Sequence, residues 1–222
     1  MTSKEKVRIP FEQKELDGVF SVPDGFAKGP GLVLAHGAGG DLNLSQLENI
    51  ARALARAGVL CLRFTCKAIN LLYRIKAYGA VVDYLMTHKR FSPSSLFLGG
   101  RSLGARAAVA VCNQMCAEHQ DVVRGLLCLS FPMYQPGKPQ TYNERTEGLR
   151  ALSQTPVLFV SGTADSMCKQ KDLKTLMEAM ESISAVHWVI GGTHGLAVHG
   201  RSEDSVLEEV NAHIISWVLQ HK

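Results

Sequence analysis

The chain has 222 residues, 46% of them hydrophobic and 20% charged, a length and mixture that favour one sizeable core and exclude a disordered chain. A net charge of only +4 leaves no nucleic-acid footprint. The start, MTSKEKVRIP, turns polar where a signal peptide needs its apolar core, and no apolar run is long enough to span a bilayer, so a cytoplasmic or nuclear placement is expected.

In chain order, VRIPF and ELDGVFSVP flank the polar turn Glu12-Gln13-Lys14 and read as an antiparallel hairpin. The pattern then changes to short, nearly continuous apolar runs at 31–37, 59–64, 95–100, 125–131, 156–162 and 185–192, as expected for strands buried on both faces. Helical spacing fills the gaps. In SQLENIARALARAG, Leu47, Ile50, Ala51 and Leu54 share a face, Ser45 and Glu48 form a capping-box pattern, and Gly58 ends the helix. Further helices are predicted over about 69–87, 103–118, 168–181 and 203–220. Residues 132–155 are loop-like, with room for a short helix or a small flap over a site and too short for a second domain. Strands alternating with helices imply a mostly parallel sheet covered on both faces, in one domain spanning 1–222, with its ligand site at the carboxyl ends of the strands.

Four loops at such ends carry chemistry. Gly100-Arg101-Ser102-Leu103-Gly104 fits the G-x-S-x-G nucleophile elbow between a predicted strand and a predicted helix. An ordinary tight turn gives the same five residues. In LAHGAGGDLN, the glycines 37, 39 and 40 let backbone N–H groups face an oxyanion, with Ala38 and Leu103 as the donors; a Gly-rich loop shaped for packing is the alternative. His36 in this loop reads as a structural hydrogen-bonding residue. Asp165 lies just past the strand at 156–162, where a carboxylate can orient a histidine or, alternatively, cap the segment that begins near Met167. His194 follows a glycine pair directly at the last strand's end and is the better base; His199 is the bland one. Serine, acid, histidine is the chain order of the α/β-hydrolase triad.

On these residues the chain resembles the α/β-hydrolase superfamily, in its dienelactone-hydrolase-like branch. HGAGGDLN, LRFTCKAINLLYRIKAY, FLGGRSLGARAA, PVLFVSGTAD and GRS near residue 200 make it resemble, more narrowly, the testis-expressed protein thirty family, which is itself similar to part of a subunit of a nuclear histone-acetyltransferase complex. The resemblance implies Ser102 as nucleophile, Asp165 as acid, His194 as base, Ala38 and Leu103 as oxyanion donors, and neither metal nor organic cofactor. Serine at the elbow argues against the chemistries that place aspartate or cysteine there. Two departures are visible: FTCKAINLLYRIKAY stands where many relatives carry a glycine-rich turn, and Arg101 precedes the nucleophile.

Other features have plainer readings. The six basic residues Arg52, Arg56, Arg63, Lys67, Arg74 and Lys76 form either a rim for an anionic ligand or a helix face and loop that is solvated or paired elsewhere, the latter being favoured. Cys112, Cys116 and His119 share a helix face, yet without a second cluster they read as buried thiols and a helix-end histidine rather than a zinc site. Cys61 and Cys66 read as packing residues and the six cysteines as reduced thiols, and Tyr73 and Tyr78 as helix-on-sheet packing.

The expectation is an α/β-hydrolase fold of about eight strands with a minimal cap, acting as a serine hydrolase on a carboxylic ester or thioester. With no insertion long enough for a large lid, a small-molecule or acylated-protein substrate fits better than a deeply buried lipid. A non-catalytic interaction module of a protein complex, and a serine peptidase on the same triad, are the competing readings. Protein partners belong with the first of these.

Overall fold

A computed structural model describes residues 2–119 and 122–222. Eight strands, β1 (Ser3–Phe11), β2 (Lys14–Val22), β3 (Pro30–Ala35), β4 (Leu60–Phe64), β5 (Ser95–Arg101), β6 (Val123–Leu129), β7 (Val157–Gly162) and β8 (Ser184–Val189), form one sheet in the order β1-β2-β4-β3-β5-β6-β7-β8. From β4 to β8 every pairing is parallel; β1 pairs with β2, and β2 with β4, antiparallel. The hairpin is longer than VRIPF suggests, and Lys14 belongs to β2: Phe11 pairs with Lys14 across a turn of Glu12 and Gln13, with Glu12 at φ 52°. Ser3–Lys6 join because pairing with β2 satisfies their backbone even though their side chains are mostly exposed.

Among the described residues the α-helices are α1 (Ser45–Arg56), α2 (Leu71–Met86), α3 (Leu103–Glu118), α4 (Tyr142–Arg150), α5 (Gln170–Ala179) and α6 (Glu203–Gln220). Strand alternation sends Leu32 and Leu34 of β3 into a core with α1 and α6, and Val33 and Ala35 into a larger core with α2 and α3. Both faces are therefore buried, the physical reason for the unbroken apolar runs. Asn70 caps α2 by accepting from the Tyr73 N–H at 3.0 Å, and Ser202 caps α6 by accepting from the Ser205 N–H. The capping box expected at α1 is absent: Ser45 lies inside the helix and donates to Glu203 at 2.7 Å, and Glu48 pairs with Lys4. Gly58, at φ 88°, does end that helix.

The loop-like stretch holds α4, preceded by a 3₁₀ turn at Pro139–Thr141. It supports α3, with Asn113 Nδ2 donating to the Gly148 carbonyl at 2.8 Å, and the Met133 N–H donates to the Met167 carbonyl beyond β7. No helix among the described residues is long and apolar enough to cross a membrane.

Helix α3 meets the sheet through glycines. A Cβ on Gly104 would lie 2.5 Å from the Ala35 carbonyl oxygen, and one on Gly100 2.6 Å from the Gly104 carbonyl oxygen. Gly79, mid-way along α2, has open space at the same position. Gly104→Ala should therefore lower stability by about 1–3 kcal/mol, and Gly79→Ala should raise it by about 0.5–1 kcal/mol, as read by urea denaturation.

Candidate active site

The turn from β5 into α3 forces Ser102 to φ 54°, ψ −117°, a region that non-glycine residues rarely occupy. Its N–H donates to the Leu129 carbonyl at 2.9 Å, and its own carbonyl accepts from Ala105 and Arg106 in the first turn of α3, so the strained residue is held from both sides. The hydroxyl stands at the C-terminal edge of the sheet, at the start of a 16-residue helix.

The loops after β7 and β8 converge there. His194 Nε2 lies 2.9 Å from Ser102 Oγ, and its Nδ1 lies 2.8 Å from Asp165 Oδ2. Asp165 is buried, and its other oxygen accepts from the Met167 N–H at 2.8 Å. Of the two readings open for Asp165, the carboxylate meets the histidine, whereas the helix cap is not formed: Met167 lies in a turn, α5 starts only at Gln170 with Lys169 at its N-cap, and the bond to Met167 closes a local turn. With Nδ1–H donating to the carboxylate, Nε2 presents its lone pair to the serine hydroxyl. His199 is exposed in the next turn and makes no hydrogen bond to Ser102 or Asp165.

The loop after β3 lies on the other side of the serine. A Cβ on Gly37 would be 3.4 Å from Ser102 Cβ. Among the described residues neither Ala38 nor Leu103 has an acceptor for its N–H, so both donors are available to a ligand. His36 is wholly buried and structural, as expected: its Nε2 accepts from the Cys66 N–H at 2.9 Å, which places the proton on Nδ1, 2.6 Å from the Gly37 carbonyl. Burial, and next the Arg74 guanidinium, push its pKa below the ordinary value.

Arg101 reaches over the turn, and its Nη2 donates to the His194 carbonyl at 3.2 Å. Burial lowers its pKa, against the attraction of the Asp165 carboxylate. Gln46 of α1 donates to the Gly195 carbonyl, so the histidine loop is gripped from two directions. The basic stretch at 52–76 divides. Arg52, Arg56, Lys67 and Lys76 are exposed, whereas Arg63 and Arg74, at 1% and 3% exposure, are neither rim nor solvated face. They donate to backbone carbonyls, Arg63 to Leu42 and Arg74 to His36, Gly37 and Ala68.

Arg74 and Gln46 were not foreseen as parts of the site. A signal for Arg74 existed: it shares the inward stripe of α2 with Ala77, Tyr78, Val81 and Leu85, where an arginine must have a reason to be. Gln46 had none, since only the fold brings it to residue 195. Cys112 and Cys116 touch, Sγ to Sγ 3.9 Å, and the first thiol is pushed up to about 12, chiefly by burial. Among the described residues no group of three or more His, Cys, Asp or Glu side chains is arranged to hold a metal ion.

The model of the family described as "Alpha/beta hydrolase domain" matches residues 28–219. The chain belongs to the α/β-hydrolase domain family. Among solved structures, this α/β-hydrolase is similar to Est1E from Butyrivibrio proteoclasticus, at 17% identity and a TM-score of 0.78, over 97% of this chain and 98% of that one. It is also similar to dienelactone hydrolase from Anabaena variabilis, at 17% identity and TM-score 0.76, over 99% and 98% of the two chains. XC6422 from Xanthomonas campestris, described as an α/β serine hydrolase without lid, matches at 16% identity and TM-score 0.71, over 99% and 95%. At these identities the likeness is one of fold, and it agrees with the expected eight-stranded, minimally capped architecture.

The depressed pKa of His36 has a thermodynamic consequence. Its folded value lies below the ordinary 6.5, so on acidification the unfolded chain takes up the proton first, and the stability present above pH 6.5 is lost as pH falls below it. His187, lowered first by burial and then by His213, acts in the same direction. The α/β-hydrolase should therefore melt at a lower temperature at pH 5.5 than at pH 7.5, and His36→Asn should shrink the difference. Thermal melts by circular dichroism check this, and an undiminished difference in the variant would assign the loss to other groups.

Proposed function

We propose that this α/β-hydrolase cleaves a carboxylic ester or thioester through an acyl-serine intermediate. Ser102 is the nucleophile, His194 the base, Asp165 the orienting acid, and the N–H groups of Ala38 and Leu103 the oxyanion donors. One observation carries the reading: the line from Ser102 Oγ to His194 Nε2 at 2.9 Å and from His194 Nδ1 to Asp165 Oδ2 at 2.8 Å.

The chemistry follows from that line. As Oγ bonds to the substrate carbonyl carbon, its proton passes to Nε2, and Asp165 stabilises the imidazolium. The carbonyl oxygen gains the negative charge and is held by the two backbone donors and the positive end of α3. Collapse expels the alkoxide or thiolate, which takes the proton from His194. Water then loses a proton to the same nitrogen as its oxygen bonds to the acyl carbon, and the second collapse breaks the bond to Ser102 Oγ, which takes the proton back from His194 as the acid leaves.

The surroundings support an open site. Ala38 and Gly39 are exposed, and the segment packed against the oxyanion loop carries Ile69 and Leu72 at 77% and 70% exposure, an apolar lip for the acyl or leaving group. Est1E has been seen with ferulic acid bound, and XC6422 is described as lidless; both favour the ester reading. The six cysteines are free thiols, five of them buried, in keeping with a reducing compartment such as the cytoplasm or nucleus. The resemblance to the testis-expressed protein thirty family remains the narrower proposal, carried by HGAGGDLN, FLGGRSLGARAA and PVLFVSGTAD, which hold Ala38, Ser102 and Asp165.

A fluorophosphonate probe should label the wild type under native conditions and leave Ser102→Ala unlabelled; an unlabelled wild type would sink the hydrolase reading in favour of the interaction module. With an ester that is turned over, His194→Ala should lose activity by about 10⁴- to 10⁶-fold, and His199→Ala should keep most of it. Matched amide and ester versions of one acyl group separate a peptidase from an esterase.

A further inference from the structure

The peptide between Gly37 and Ala38 is gripped at its carbonyl end by two side chains from behind the loop. Arg74 Nη2 donates to the Gly37 oxygen at 2.9 Å, and His36 Nδ1–H donates to the same oxygen at 2.6 Å. Arg74 also donates through Nη1 to the His36 carbonyl at 2.7 Å and through Nε to the Ala68 carbonyl, which ties the loop to the segment that precedes α2. The peptide is trans, so its carbonyl and the Ala38 N–H lie in one plane and point in opposite directions. Holding the oxygen on the α2 side therefore turns the Ala38 N–H to the opposite side, while Gly37 itself lies against Ser102.

Charge adds a second effect. Arg74 makes no ion pair among the described residues, so three carbonyl oxygens receive a buried, uncompensated positive charge. Burying a guanidinium without a carboxylate is costly, and a packing role alone is met more cheaply by an apolar side chain. Two donors on one amide oxygen, one of them charged, also draw electron density from the N–H and make it a stronger donor, by roughly 10–30% per bond.

We propose that Arg74 and His36 are positioning residues of the oxyanion site: together they fix and polarise the Gly37–Ala38 peptide so that its N–H meets the charge developing on the substrate oxygen. This rests on the serine-hydrolase reading, and it gives an arginine 28 residues before the serine, and further still from Asp165 and His194, a part in the same step. Arg74→Met leaves the Gly37 oxygen with one neutral donor. Arg74→Lys keeps the charge without the fork that spans two carbonyls. His36→Asn places an amide donor near the Nδ1 position, and His36→Leu removes it.

The test uses the full chain, with the exposed Lys76→Met on the same helix as control. The readouts are the rate of fluorophosphonate labelling, kcat and KM on p-nitrophenyl acetate, and inhibition by a trifluoromethyl ketone, whose adduct carries the oxyanion. Arg74→Met is expected to lower kcat and labelling rate about 10- to 100-fold with KM nearly unchanged, and to weaken ketone inhibition in parallel. Arg74→Lys is expected to fall between, His36→Asn to retain more activity than His36→Leu, and Lys76→Met to match the wild type. If Arg74→Met does not fold, Arg74→Lys and the His36 pair decide by the same readouts. A folded variant with wild-type ketone inhibition, or with a loss that lies wholly in KM or in the folded fraction, overturns the positioning role. A wild type that is not labelled overturns the hydrolase reading and this inference with it; a wild type labelled at Ser102 beside variants labelled at the same rate overturns this inference alone.

Discussion

The close crossing of α3 over the ends of β3 and β5 is the constraint on which the rest of the site depends. Gly100 and Gly104 remove the side chains that would hold helix and sheet apart, and backbone meets backbone at the Ala35 carbonyl. Only then does the turn at Ser102 close at φ 54°, with its N–H on Leu129 and the first turn of α3 bonded to its carbonyl. That one approach also brings Gly37 beside the serine, so the proposed nucleophile and the proposed oxyanion loop are set by a single contact rather than by separate adjustments.

Around this crossing the charges are arranged unevenly. One carboxylate, Asp165, is buried on the histidine side, with Arg101 near enough to feel it; on the side of the Gly37–Ala38 loop lies Arg74 with no carboxylate to answer it, next to a histidine whose pKa burial lowers. In the proposed reaction, the negative charge that arises between the two sides meets oriented donors on one and a histidine able to accept a proton on the other. Because these groups are fixed by backbone hydrogen bonds, little of the surroundings must reorient as charge moves.

Much of this was legible in the sequence. Unbroken apolar runs such as GLVLAHG and PVLFVSG are what a strand covered on both faces requires, and they located six of the eight strands. The serine, acid and histidine stood at strand ends in a recognisable order, and the structure brings all three within hydrogen-bonding distance. What was hidden has a common cause: a residue's type says how it behaves in water, not whom it meets. Arg63 and Arg74 counted as surface charge because nothing nearby in the chain announced the carbonyls that receive them. Ser45 and Glu48 fitted a cap by spacing, but partners more than forty residues away claimed both side chains. Gln46 could not be placed until α1 and the last loop were seen together.

Asp165 divides its two oxygens between its own loop and the loop of the histidine. The bond to Met167 stops the carboxylate from rotating, so its second lone pair faces the imidazole whether or not anything is bound. The ordering entropy of that group is thereby settled once, as the chain folds, and is not charged again each time a ligand arrives.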